Sequence, residues 1–192
     1  PVRFGPPGTT IATPRDMDPA RYAGALGGEK GRSAAALIAF GGLTVLSAVF
    51  GAREVRRGKG SFWYRLLRKP KHAPPDWVFG PVWTGLFALQ ALSGYRIWKQ
   101  ARSPERARAL ALWGTQLALN TNWTRVFFGR HRTHAALQDL IALWGSLAAY
   151  VMQARVVDRK ASWMMVPYAG WVTYAGYLNE EIARKNPKFL AN

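Results

Sequence analysis

The side chains best equipped for chemistry in this 192-residue chain form three sets. His131 and His134 stand three apart, a spacing at which two imidazoles can share a metal ion. They sit in a short polar turn without a third ligand, so both read as exposed loop histidines and no metal site is expected. Asp139 is the one carboxylate well inside an apolar block. An acid at membrane depth is by default a functional hypothesis. However, Asp139 stands about one turn into its helix, where the dipole favours negative charge, with Arg125 and Arg130 nearby in sequence. A structural ion pair is the expectation. The third set is aromatic: Trp63-Tyr64, Trp77, Phe79 and Trp83, interleaved with Lys69-Pro70, Pro74-Pro75 and Pro81. Paired prolines hold the chain extended and delay the helix. Trp77 then falls at an interface, and Trp83, six residues on, lies about 9 Å deeper along a helix, facing a neighbour or a cavity. There is no cysteine, which excludes disulfides, thiolate zinc sites, iron–sulfur clusters and cysteine nucleophiles. No acid–base pair stands out, so no catalytic residue is assigned.

The elements that must position these residues read as an all-α integral membrane bundle of five transmembrane helices. Spans are expected at about 33–52, 77–95, 107–128, 135–153 and 161–178. The first two are uncharged and close to the ~20 residues that cross a bilayer. The third holds Gln116, Asn120, Asn122 and Arg125, the fourth Asp139, and the fifth is interrupted by Pro167. Their polar groups should face the bundle interior, because lipid offers them no partner. A basic loop, Arg53 to Asp76, joins the first two spans. Mean hydropathy is slightly negative because the 27 basic residues gather in the loops and the first 32 residues. Trp63, Trp77, Trp98, Trp113 and Trp163, near span ends, are expected in the interfacial belt.

The net charge of +17 invites a nucleic-acid reading. The basic residues, however, flank apolar blocks instead of forming one face of a soluble fold, so anionic lipid headgroups are the expected partner and nucleic acid is not. They divide almost evenly between the two sides, and the positive-inside rule assigns no orientation. Residues 1–32, rich in Gly, Pro and Arg, should not order alone, and a surface outside the domain is expected to hold them. The sequence opens on Pro1, from which a removed targeting segment is expected, and a mitochondrial membrane is favoured over a bacterial one. A membrane domain over 33–186 and a short tail, 187–192, complete the division.

The Trp- and Pro-rich stretch resembles the translocator protein family, also called the tryptophan-rich sensory or peripheral benzodiazepine receptor family. The likeness continues in order through Gln116-Leu117-Ala118-Leu119-Asn120, Trp123, Phe127-Phe128-Gly129, Ala136-Leu137-Gln138-Asp139-Leu140, Pro167-Tyr168, Trp171, Leu178-Asn179 and Asn186. The resemblance implies a five-helix bundle, often dimeric, with a pocket closed by the first loop. It also implies binding of porphyrins, sterols or synthetic aromatic molecules, with light-dependent porphyrin breakdown in some bacterial members. Trp83 and Trp171 match tryptophans that line the pocket, and Asn120 and Trp123 match its third-helix wall. A flat tetrapyrrole would stack on Phe79, Trp83, Tyr168 and Trp171, with Gln116, Asn120 and Asn179 as hydrogen-bonding partners and His72, Pro74 and Pro75 in the lid. No cofactor is obligatory; a porphyrin or haem-type molecule is the ligand implied.

The chain departs from the family in ways that bear on function. His72 stands where the lid usually has Trp, and Arg125 follows Trp123 where Pro is common. Thr121 replaces a Trp of mammalian members. At the fifth-helix end, Glu180-Glu181 replace the aromatic of the sterol motif; an equivalent pattern, Leu147, Tyr150 and Arg155, occurs in the fourth span. Sterol recognition is not expected. The altered lid and fifth-helix end also fit an alternative role, an accessory subunit of a larger membrane complex such as a respiratory assembly.

Overall fold

The structure is a computed structural model describing residues 19–187, with side-chain surroundings from residue 27 onward. The expected holding of the first 18 residues and the final tail lie outside the described residues. The chain divides into residues 1–36 and a compact unit, Leu37–Asn192, so the compact unit starts a few residues later than the expected Ser33. All described regular structure is helical: α1 (Pro19–Gly60), α2 (Phe62–Leu66), α3 (Asp76–Lys99), α4 (Pro104–Thr124), a π-turn (Arg125–Gly129), α5 (Thr133–Val157), α6 (Arg159–Met164) and α7 (Val166–Lys185).

Local signals explain the boundaries. Ser61 caps α2 by accepting from the Tyr64 N–H at 3.2 Å. Pro75 precedes α3 and Asp76 sits in its first turn, where the helix dipole favours an acid. Pro81 falls six residues into α3, close enough to its start for the missing N–H to matter little. Ser103 caps α4 ahead of Pro104, and Asp158 caps α6 through the N–H groups of Lys160 and Ala161. The fifth apolar block breaks at Met165, so Pro167 lies in the first turn of α7.

Three boundaries differ from expectation. Regular helix begins at Pro19, inside the segment expected to lack it, and α1 runs on to Gly60, turning the first part of the Arg53–Asp76 loop into helix. Nothing between Arg53 and Arg57 breaks a helix, and basic residues suit its last turns. The third block ends in a π-turn in which the Arg130 N–H reaches back five residues to the Arg125 carbonyl at 2.9 Å. That wider turn lets three consecutive residues, Val126, Phe127 and Phe128, all face the interior.

By length and composition, two helices among the described residues can cross a membrane: α1 over Gly27–Gly60, and α5. On α1, Leu37, Ile38, Leu43, Val45, Leu46, Val49 and Phe50 are exposed. The helices α3, α4 and α7 are less apolar because they bury polar groups against one another. Ser93 meets the Tyr150 hydroxyl at 2.7 Å and donates to the Ala161 carbonyl at 2.8 Å, knitting α3, α5 and α6. Trp113 lies in this core, 4% exposed, donating from Nε1 to the Gln90 carbonyl at 2.9 Å. It is a packing residue and not part of an interfacial belt. Trp77 and Trp163 are exposed, at 75% and 61%. Trp63 is half-buried, stacked on His131 at 4.3 Å, and His131 is correspondingly not a free loop histidine.

Asp139 makes no ion pair among the described residues. Its Oδ1 accepts from Asn122 Nδ2 at 2.8 Å, a neutral partner on α4, because the nearby arginines lie beyond the π-turn on exposed surface. The carboxylate that is ion-paired is Asp158, 2.8 Å from Arg96. Burial raises its carboxyl, but the Ala161 N–H, the Arg96 guanidinium and the Lys160 N–H outweigh this and hold it below the ordinary carboxylate range.

Where α1 and α3 cross, a Cβ on Gly94 would stand 2.7 Å from both Phe40 and Trp113. Gly94→Val is therefore expected to lower the thermal midpoint in detergent, at about 1–3 kcal/mol for such overpacking. Tyr150→Phe strips the Ser93 hydroxyl of a partner and should destabilise by about 1 kcal/mol. Because the Asp158 carboxyl is depressed in the folded state, its contribution is present above the unfolded carboxylate value, about 3.9, and lost as pH falls below it. Asp158→Asn should lower stability at neutral pH and narrow its difference from wild type in the acid limb of a melting-temperature series.

Candidate ligand site between helices

On α3, Phe79, Trp83 and Phe87 recur every four residues and share one face. Opposite them α7 brings Tyr168, Trp171 and Tyr174. The two helices meet through rings. Trp83 lies 5.4 Å from Phe87, 6.2 Å from Tyr168 and 6.4 Å from Trp171, centroid to centroid. Phe79 meets Trp171 at 5.6 Å, and Trp171 meets Tyr174 at 5.9 Å. The Trp83 and Trp171 planes stand at 87°. Edge-to-face pairs of this kind are favourable because the positive ring edge meets the negative face. Such contacts leave the second face of a ring open to a further flat partner. Phe79, Trp83 and Trp171 are half-buried, while Tyr168 is fully buried with no partner for its hydroxyl.

The α4 wall carries Gln116, Asn120 and Trp123 on one face, at spacings of four and three. Gln116 and Asn120 are buried. Gln116 Nε2 donates to the Trp113 carbonyl at 3.0 Å and to Gln90 Oε1 at 3.4 Å. Trp123 stacks on Phe127 at 5.7 Å and donates from Nε1 to Asn179 Oδ1 at 3.3 Å. Asn179 in turn donates from Nδ2 to the Thr133 carbonyl at 2.9 Å. Both ends of the Asn179 amide are thus engaged in fastening α7 to α4 and α5. It is an organising residue rather than a free hydrogen-bonding partner for a ligand. Gln90 was not among the residues singled out by sequence. Its signal was an amide seven residues beyond Trp83, on the same face of an otherwise apolar span.

The loop between α2 and α3 lies over this end of the bundle. The His72 carbonyl accepts from the Tyr174 hydroxyl at 2.7 Å, and its imidazole is on an exposed residue. The lid is therefore attached at His72 through its backbone, which any residue type supplies. Asn186 grips the start of the loop with its whole amide: Oδ1 accepts from the Arg68 N–H at 2.9 Å and Nδ2 donates to the Arg68 carbonyl at 3.1 Å. Lys59 pairs with Asp76 at the loop's far end, and Lys69 lies 4.0 Å over the Tyr64 ring. Burial, and secondarily Asp76, push the Tyr64 hydroxyl up. Pro70 is buried, Pro74 half-buried and Pro75 exposed at the head of α3.

The Leu147, Tyr150 and Arg155 pattern does not offer itself to a lipid-phase sterol, because Leu147 and Tyr150 are fully buried in the core. Among the described residues no cluster of three or more metal-ligating side chains occurs. Tyr174→Phe and Asn186→Ala should each release the loop. Trypsin cleavage at Lys69 and Lys71 is expected to accelerate several-fold in both, in line with about 1 kcal/mol per lost hydrogen bond. Unchanged cleavage would show that other contacts hold it.

Comparison with known proteins matches the geometry. The sequence profile of the TspO/MBR family fits residues 34–184. The translocator protein of Bos taurus is 36% identical over 149 residues, covering 76% of this chain and 88% of its own. Protein CrtK of Rhodobacter capsulatus is 41% identical over 126 residues, 65% of this chain and 79% of its own. A tryptophan-rich sensory protein of Cereibacter sphaeroides is 40% identical over 124 residues, 65% and 77% respectively. None of these three names is that of an enzyme. With its helices, its paired-proline loop and its facing tryptophans accounted for along most of its length, the chain belongs to the TspO/MBR family of membrane proteins.

Proposed function

We propose that this protein binds a flat hydrophobic ligand of the porphyrin or tetrapyrrole class between α3 and α7, with α1, α3, α4, α5 and α7 all crossing the bilayer. The single observation that supports this most is the near-perpendicular pair Trp83 and Trp171, bridged by Phe79 and Tyr168. Two large indoles at right angles line a corner, and a flat ring system stacks on one face while meeting the edge of the other. Helices α3, α4 and α7 cross despite modest hydropathy, because their polar residues turn inward and their basic residues lie toward the ends. Those basic residues hold the protein against anionic headgroups, at roughly 1 kcal/mol each near the surface.

The lid pinned by Tyr174 and Asn186 supports the same reading, since α7 carries Trp171 and Tyr174 one turn apart. Relatives are named translocator and sensory proteins, and binding of a hydrophobic molecule suits either name. Protoporphyrin IX titrated into detergent-solubilised protein, followed by porphyrin absorbance, tests the proposal. Trp83→Leu and Trp171→Leu are each expected to weaken binding about tenfold or more, a loss of ~1.4 kcal/mol or greater. Equal affinity in wild type and both variants would reject it.

A further inference from the structure

Beyond the rings, the interior holds polar atoms that the fold does not use. Gln90 and Gln116 are both fully buried. Their amides share one long hydrogen bond of 3.4 Å, and Gln116 also donates to the Trp113 carbonyl. Gln90 Nε2 and Gln116 Oε1 are left without a partner. Amide orientation is an assignment, so either side chain can be turned over. Turning both over still satisfies one inter-amide bond and leaves one donor and one acceptor over. Every buried amide carries two donors and an acceptor with two lone pairs, and this pair cannot use them up on itself. Unsatisfied polar atoms at this depth are costly, so something other than the protein is their natural partner.

Position indicates what that partner is. Gln90 lies one turn beyond Phe87 on the face that carries Trp83, and Gln116 lies one turn from Asn120 on the α4 wall. Asn120 Oδ1 is a second buried acceptor without a partner. The aromatic row and the α4 wall therefore end on the same amide pair, closed beneath by Trp113. We infer that Gln90 and Gln116 form a polar floor to the ligand site, selecting molecules whose leading edge carries a neutral donor and acceptor side by side. A lactam, a primary amide or a protonated carboxylic acid has that pattern; a bare hydrocarbon or an ester does not. The inference rests on the ligand reading above and adds to it the class of group recognised.

Phenanthridinone, a flat tricyclic lactam, and its N-methyl derivative differ by one donor and make suitable probes. Wild type is expected to bind the parent lactam at least about tenfold tighter, since the methylated one leaves a buried acceptor unpaired. Gln90→Met and Gln116→Met should each erase that preference while the N-methyl compound still binds. Without ligand, the double variant should melt no lower than wild type, because two unpaired amide ends have left the interior. A preference that survives in both variants overturns the inference, as does equal binding of the two lactams by wild type. So does a lower midpoint in the double variant with the preference intact, which would make the amides purely structural. If the N-methyl lactam binds and is lost in Trp83→Leu without any discrimination, the floor fails and the aromatic site stands. If neither lactam nor protoporphyrin binds, both fail.

Discussion

The amide of Asn179 is the fastening on which much of this bundle depends. Hydrocarbon offers no hydrogen bonds, so every polar group carried into it must be answered from within the protein. Asn179 accepts from the Trp123 indole of α4 and donates to the Thr133 carbonyl at the head of α5. One side chain of α7 thereby sets the height of two other helices. The Ser93 hydroxyl does the same at the opposite end, tying α3 to Tyr150 of α5 and to the Ala161 backbone of α6. The two ties clamp α5 from its first turn to its last. Dispersion and close packing then fill the space between, as in the row from Leu140 through Leu143 and Leu147 to Ala154.

Such clamps explain why the helices were legible in the sequence while several side-chain roles were not. Apolar blocks, prolines at block starts and serine or aspartate caps are local signals, and they located α3, α4, α5 and α7 closely. The tryptophans at 83 and 171 were also legible, because their surroundings form a recognisable order along the chain. Trp113 was not. Its distance from the block end suggested an interface, and only the neighbouring Gln90 carbonyl, twenty-three residues away, draws it inside. The partner of Asp139 was similarly hidden. Proximity in sequence favoured arginine, but the π-turn intervenes and the facing helix supplies Asn122. Tertiary partners cannot be read from spacing along a single helix.

The lid illustrates a different gap between sequence and role. His72 in place of Trp looked like a change to the site itself. In the structure the loop is held by main-chain groups of residues 68 and 72, with the specific side chains supplied by α7 as Tyr174 and Asn186. Identity at position 72 is thereby separated from attachment of the loop. What the substitution does alter is the outer face, where an exposed imidazole replaces an indole beside Lys69 and Lys71.

The π-turn at Arg125–Gly129 has one more consequence. It accommodates one residue more than a regular helix would over the same rise, so it acts as a slack register between α4 and everything after it. Removing a single residue there would let the segment regularise, at the price of turning whatever follows by about 100°. Phe128 would then leave its seat against Gly58, where the helices approach too closely for any larger residue than glycine. The length of this short turn is thus inherited as a unit with the glycine it packs on, and neither can drift alone.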